Sequence, residues 1–184
     1  MTAQQPAIVT VFTVGLTAAD IGLLELLDDR ERLRVARCAS EADRGRTLLG
    51  AALLRTAAGA MLGVPAGELR VDRSCTSCGG WHGRPTIPGT DLDVSVTHSG
   101  SVVAVATLAG GGRVGVDVER LAGRPGAEVL AWTITEACFK AGGGLDLTVH
   151  QLPPPAPNHV LTLATDQPDA LVKVIDGTAL LAAR

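Results

Sequence analysis

The chain has 184 residues, 46% of them hydrophobic and 19% charged, with a formal net charge of −3, a length that suits one compact domain or two small lobes. Its apolar runs are interrupted by Gly, Arg or Thr well before the ~20 residues a membrane span needs, so a soluble protein with no membrane partner is expected. The slight acidity argues against a general nucleic-acid binder, and Met1 to Val14 lacks the basic start and small-residue cleavage site of a secretory leader, so a cytoplasmic setting is expected.

Ile8 to Val14 is β-branched and apolar enough for a first strand. From Thr17 to Arg37 the period changes. Ile21, Leu24, Leu27 and Leu33 are spaced for one helical face, and Asp28 to Arg32 for the opposite one. Ser40 followed by Asp43 is a helix start signal, and Leu48, Leu49, Ala52, Leu53, Ala57, Ala60 and Met61 make an amphipathic helix ended by Gly63 and Pro65. Beyond Glu68 the segments shorten: Leu69 to Val71, Asp91 to Thr97, Ser101 to Leu108 and, after a triple-Gly turn, Arg113 to Glu119 read as neighbouring antiparallel strands. Trp132 to Ala141 returns to helical spacing, with Thr133 and Glu136 placed as a capping box. The Pro-rich stretch from Leu152 to Pro157 is a connector, and His159 to Ala164, Leu171 to Ile175 and Thr178 to Ala182 read as closing strands. The order of elements predicts an α+β protein built as two successive lobes.

The densest chemical pattern is Val114-Gly115-Val116-Asp117-Val118-Glu119. On a strand, Asp117 and Glu119 share a face about 7 Å apart, which suits Mg²⁺ or, equally, an exposed edge bearing two acids. Glu136 and Lys140 share a helix face, so one can hold a metal or act as base while the other meets a phosphate; an ordinary capping acid with its i,i+4 lysine reads the same way. Arg outnumbers Lys 14 to 2, which makes any one arginine uninformative and gives Lys140 and Lys173 more weight. Ser95-Val96-Thr97-His98-Ser99-Gly100, at a strand end running into a turn, offers hydroxyls and an imidazole to a phosphate or ribose. Arg84, held extended by Pro85, can aim at an anion or remain a solvated loop residue.

Gly83-Arg84-Pro85, Ser95 to Gly100, Val114 to Glu119 and Trp132-Thr133-x-x-Glu136-Ala137-x-x-Lys140, in that order, resemble the successive signatures of the surfactin-type 4′-phosphopantetheinyl transferases. Arg46-Thr47-Leu48-Leu49-Gly50 with Leu53-Leu54-Arg55 is similar to the helix that precedes them, and the resemblance runs from about Arg30 to Leu145. It implies two similar α+β lobes, 1–110 and 111–184, in a pseudo-twofold arrangement, with the active site between them. It also implies Mg²⁺ or Mn²⁺ and coenzyme A as co-substrate, whose 4′-phosphopantetheine arm passes to a serine of an acyl or peptidyl carrier protein. Asp117, Glu119 and Glu136 are then the metal ligands. Glu136 is also the catalytic base and Lys140 the catalytic cation on the diphosphate. Arg34, Arg46, Arg84, Thr97 and His98 hold the nucleotide end. Arg30, Arg32, Arg34 and Arg37 suit docking of an acidic carrier as well as nucleotide binding, and a solvated helix face reads the same way; a monomer is expected.

Thr135 stands where the family pattern has Lys, and the interval from Glu119 to Trp132 is shorter than in the family, with two Gly and a Pro between Leu121 and Leu130. A non-catalytic coenzyme A-binding protein is therefore the main rival. Cys38, Cys75, Cys78 and Cys138 are read as thiols, because a chain of this length can bury a core without a disulfide framework. Cys75-x-x-Cys78-x-x-x-His82 has zinc-like spacing with three local ligands, and a redox pair or a loop of small residues fits as well. A small zinc-knuckle interaction module is the third reading. Trp81 and Trp132 are expected to line a core or a cleft.

Overall fold

The computed structural model describes residues 6–144 and 146–183; of the sequence readings, the start of the chain before residue 6 and the end of the resemblance at Leu145 lie outside them. The fold is mixed α+β. Strand β1 (Ile8–Gly15) is followed by two short 3₁₀ segments (Leu16–Ala18, Ile21–Leu26), then helices α1 (Asp29–Ala36) and α2 (Glu41–Leu62). After a third 3₁₀ turn (Ala66–Glu68) come β2 (Asp72–Ser74), β3 (Trp81–Thr86), β4 (Asp93–Ser99), β5 (Val102–Leu108) and β6 (Val114–Arg120). Helix α3 (Gly126–Lys140), strands β7 (Thr148–Leu152), β8 (His159–Thr165) and β9 (Leu171–Asp176) and helix α4 (Thr178–Ala182) complete it.

The strands form one sheet of order β4-β5-β1-β9, a second of order β6-β8-β7, and the β2-β3 hairpin. β5 is apolar on both faces because both are covered. Val103 and Val105 join Leu48, Leu49, Leu53 and Leu54 of α2 in one core, while Val102, Ala104, Ala106 and Leu108 meet Val114, Val116, Val118, Leu161 and Leu163 of the second sheet in another. Helix α3 packs on the remaining face of the second sheet through Ala137, Ala141 and Ala164. That contact requires a bare backbone at Gly115, where a Cβ would lie 2.0 Å from the Ala137 carbonyl oxygen.

The helix start at Ser40 is as expected: its hydroxyl accepts the Asp43 N–H, and α2 ends on Gly63 in the left-handed region at φ 67°. Several local expectations change, among them the strand expected over Leu69 to Val71, which is irregular and leads into β2. Thr17 to Arg37 is not one helix, because the Asp28 side chain and Glu31 form a capping box that starts α1 afresh, and the buried positions before it are Leu23 and Leu27. Helix α3 begins at Gly126, so Thr133 and Glu136 are not a capping box: the Thr133 hydroxyl is buried against the Leu130 carbonyl and Thr162. The last five residues of the Leu121 to Leu130 stretch form the start of α3. Thr178 to Ala182 is a helix rather than a strand, with Asp176 accepting the Thr178 N–H and Leu181 buried in the α2 core. The first sheet draws on both ends of the chain, since β9 pairs parallel with β1 (Ile8 opposite Leu171 through Thr13 opposite Asp176). Among the described residues no helix is long and apolar enough to cross a membrane.

Candidate functional site

The two sheets meet along β4 and β6 without sharing a strand ladder. Instead, alternate side chains of β4 accept alternate N–H groups of β6: Asp93 from Val114 (2.7 Å), Ser95 from Val116 (3.1 Å), Thr97 from Val118 (3.2 Å) and Ser99 from Arg120 (3.1 Å). The period of two on β4 matches the period of two on β6, so four side chains replace the carbonyls of a neighbouring strand. Two of the hydroxyls then donate across the seam, Thr97 to Asp117 Oδ1 (3.0 Å) and Ser99 to Glu119 Oε2 (2.9 Å). The seam therefore orients both acids of the Asp-x-Glu pair.

A cavity of about 300 Å³ lies at this seam, walled by α1, β2, α2, β4, β6 and α3. Its acidic side holds Asp117, Glu119 and Glu136, with Lys140 and Trp132 beside them. Asp117 is buried and takes 2.6 Å from Lys140 Nζ on Oδ1, while its Oδ2 is buried without a partner. Desolvation pushes the Asp117 carboxyl above its ordinary pKa, against the lowering pull of Lys140 and Thr97. Glu119 is in addition met by Arg124 at 3.4 Å.

The same cavity is also lined by cationic groups and an imidazole: Arg34 from α1, Arg46 from α2, Arg73 from β2 and His98 from β4. Arg46 is fixed by Asp43 (2.6 Å) and the Gly100 carbonyl (2.7 Å). Burial, reinforced by Arg34, lowers the Arg73 pKa to about 10, which leaves it charged at neutral pH, and its Nε has no partner. His98 is exposed at the rim, yet desolvation by the surrounding walls, followed by the charge of Arg46, lowers its pKa. Glu31, also on the wall, is buried with Oε1 unpartnered. Three cavity residues thus carry buried polar atoms with hydrogen-bonding capacity left over, which a polar ligand or ion in the cavity would take up.

Of the residues singled out from sequence, Arg34, Arg46, Thr97, His98, Asp117, Glu119, Glu136 and Lys140 all border this cavity. Two do not stand as the motif pattern suggests. Arg84 does not line the cavity; its Nη2 donates to Asp93 Oδ2 and to the Val114 carbonyl (2.7 Å), tying the hairpin to the end of the seam. The single hydroxyl proton of Thr97 is already given to Asp117, so Thr97 orients the acid rather than donating to a phosphate. The three carboxylates share a wall but do not converge. Among the described residues, the one trio of His, Cys, Asp or Glu ligand atoms lying within 4.8 Å of one another is Cys75, Cys78 and His82. Like charges spread apart, and Asp117 and Glu119 have each taken a local cation instead.

Arg73 and Glu31 were not visible from sequence as site residues; one arginine among 14 carries no signal, and Glu31 reads as a first-turn helix acid. Trp132 is half exposed and lines the cleft, one of the two places expected for it. Neither the protein-family models nor the curated proteins compared with this chain give a match.

Proposed function

We propose that the protein is a cytoplasmic, Mg²⁺-dependent 4′-phosphopantetheinyl transferase that converts an apo acyl or peptidyl carrier protein to its holo form. The supporting observation is the make-up of one cavity, which is lined by Arg34, Arg46, Arg73 and His98 together with Asp117, Glu119, Glu136 and Lys140. Coenzyme A needs both kinds of group, cations for its phosphates and a carboxylate-held cation for its diphosphate. The two sheet-and-helix units are read as the lobes of the pseudo-twofold fold named above.

The donor types are those Mg²⁺ takes, and the three acids would have to converge around it: Asp117 offers a buried, unpartnered oxygen, and Glu119 and Glu136 are further hard oxygen donors lining the same cavity. When bound, the ion supplies neutralisation of the diphosphate charge. Lys140, on a flexible stem at the cavity edge, exchanges Asp117 for a phosphate oxygen. Glu136 takes the proton of the carrier serine hydroxyl as its oxygen forms the new bond to phosphorus, and the bond to adenosine 3′,5′-bisphosphate breaks with its electron pair leaving on that product. Arg34, Arg46 and Arg73 bind the anionic nucleotide end throughout and change little between ground and transition states. The exposed Arg30, Arg32 and Arg37 beside Arg34 offer the acidic carrier a cationic face.

The test is the intact mass of an apo carrier protein incubated with coenzyme A, Mg²⁺ and this protein. A gain of one phosphopantetheine, lost on chelation and in Glu136→Ala, is expected. No gain on acyl and peptidyl carriers, with coenzyme A still raising the melting temperature, would replace the transferase with a non-catalytic coenzyme A-binding protein.

A further inference from the structure

The β2-β3 hairpin ends in a loop whose shape none of the cavity chemistry explains. Cys75 N–H donates to the Gly80 carbonyl (2.7 Å) and Gly79 N–H back to the Cys75 carbonyl (2.8 Å), folding residues 75–80 into a tight knuckle with Gly79 at φ 71°. Inside it, Cys78 Sγ lies 3.0 Å from His82 Nε2 and accepts the Gly80 N–H at 3.4 Å. Gly80 closes the loop over the cluster, since a Cβ there would stand 3.0 Å from the His82 ring and 3.3 Å from Cys78 Sγ. Both cysteines are free thiols, and the three ligand atoms lie within 4.8 Å of one another.

Two sulfurs and an imidazole are a donor set for a borderline-soft divalent ion and a poor one for Mg²⁺. We propose that Cys75, Cys78 and His82 hold a zinc ion, with water in the fourth position, and that the ion braces the hairpin that carries Arg73 to the cavity. No fourth protein ligand joins the cluster among the described residues, and Cys78 and His82 are exposed, so the ion enters from solvent and the two thiols release their protons on binding.

The bracing follows from the hairpin's weakness. A two-stranded ribbon is marginal alone, and this one pairs at Asp72 with Thr86 and at Ser74 with Trp81, with a register shift between. Arg73 sits in that shift with its guanidinium buried in the cavity wall. Closing the far end of the ribbon removes open conformations that would withdraw it. The proposal stands whether or not the cavity binds coenzyme A.

The full chain, purified without chelator, is expected to carry one equivalent of zinc by elemental analysis. Replacement by Co²⁺ is expected to give thiolate-to-metal charge-transfer absorption. Cys78→Ser and His82→Ala should lose both signals, and Cys138→Ser should keep them. Removing the metal should speed amide hydrogen exchange in residues 72–86 and leave α2 and α3 unchanged. Absence of zinc together with absence of the cobalt band, retention of metal in Cys78→Ser, or isolation of a Cys75–Cys78 disulfide would overturn the site. Bound metal whose removal leaves exchange at 72–86 unaltered would overturn the bracing.

Discussion

Arg55 is the largest fully buried side chain of α2, and its environment makes a sharp prediction. Its guanidinium pairs with Glu31 on α1, reaches Asp28 at 2.9 Å, and donates to the carbonyls of Ala66 (3.2 Å) and Leu69 (2.7 Å). Arg55→Met removes every one of those bonds and leaves Glu31, 2% exposed, as a buried charge without its ion-pair partner. Breaking a buried pair from one side costs about 3–5 kcal/mol, and for a chain of this length each kcal/mol moves the melting temperature by about 2–4 °C. The expected fall is therefore about 6–20 °C. Adding Glu31→Gln removes the stranded charge, so the double variant should recover at least about 2 kcal/mol of the loss. Thermal unfolding followed by circular dichroism, with urea titrations to place both variants on one free-energy scale, measures this. A loss in Arg55→Met below about 1 kcal/mol, or a double variant no more stable than the single, would refute the reasoning.

Asp117→Asn should separate activity from stability. Burial raises the folded pKa above the unfolded value of about 3.8, so the stabilising contribution of this group is full below that value and is lost as pH rises through the raised pKa. At pH 7 the charged form is thus the one folding disfavours; the Asn variant should melt no lower than the parent while losing transfer, and a lower melting temperature at pH 7 would contradict this. Gly115→Ala drives a methyl to 2.0 Å from the Ala137 carbonyl oxygen and 2.5 Å from the Ala141 nitrogen, so α3 must shift; a loss of about 1–3 kcal/mol in urea unfolding is expected. Arg73→Ala should weaken coenzyme A binding about 10- to 150-fold by calorimetry, the equivalent of about 1.5–3 kcal/mol for a charge-assisted contact, and an unchanged Kd would remove Arg73 from the anion wall.

What could be read from the chain follows the range of the forces involved. Ser40, Gly63 and the leucine period of α2 act within a few residues, and that helix is legible to its caps. The strands β1, β4, β5, β6, β8 and β9 are each legible within a residue or two, because β-branched runs between Gly-rich turns read locally. Which sheet each joins is not local: β9 returns to β1 across the whole chain, and β5 and β6, consecutive and both Val-rich, belong to different sheets. Helix α3 was read six residues short because Gly126 and Pro125 look like a loop, whereas Pro is well tolerated at a helix entrance and the Val129 contact with the core outweighs the poor propensity. The acids of the site were legible as a pattern. The role of Gly115 was not, since its constraint comes from α3, more than twenty residues further along.

The seam shows why a functional pattern could be found at all in a chain with so little local signal. Asp93, Ser95, Thr97 and Ser99 are each a short acceptor that takes one N–H of β6, and at Ser95 and Thr97 a longer or apolar side chain would leave that N–H buried and unpaired. Thr97 and Ser99 must also be donors, because the same hydroxyls hold Asp117 and Glu119. An acceptor that also donates, on a short side chain, is a hydroxyl and little else. Val116 and Val118 are fixed just as tightly by the core behind them, and Gly115 by the helix in front. The joint between the sheets and the cradle for the acids are thus one set of atoms. Changing a seam residue to loosen the joint must also turn an acid, so the two halves of the pattern constrain each other's residue types.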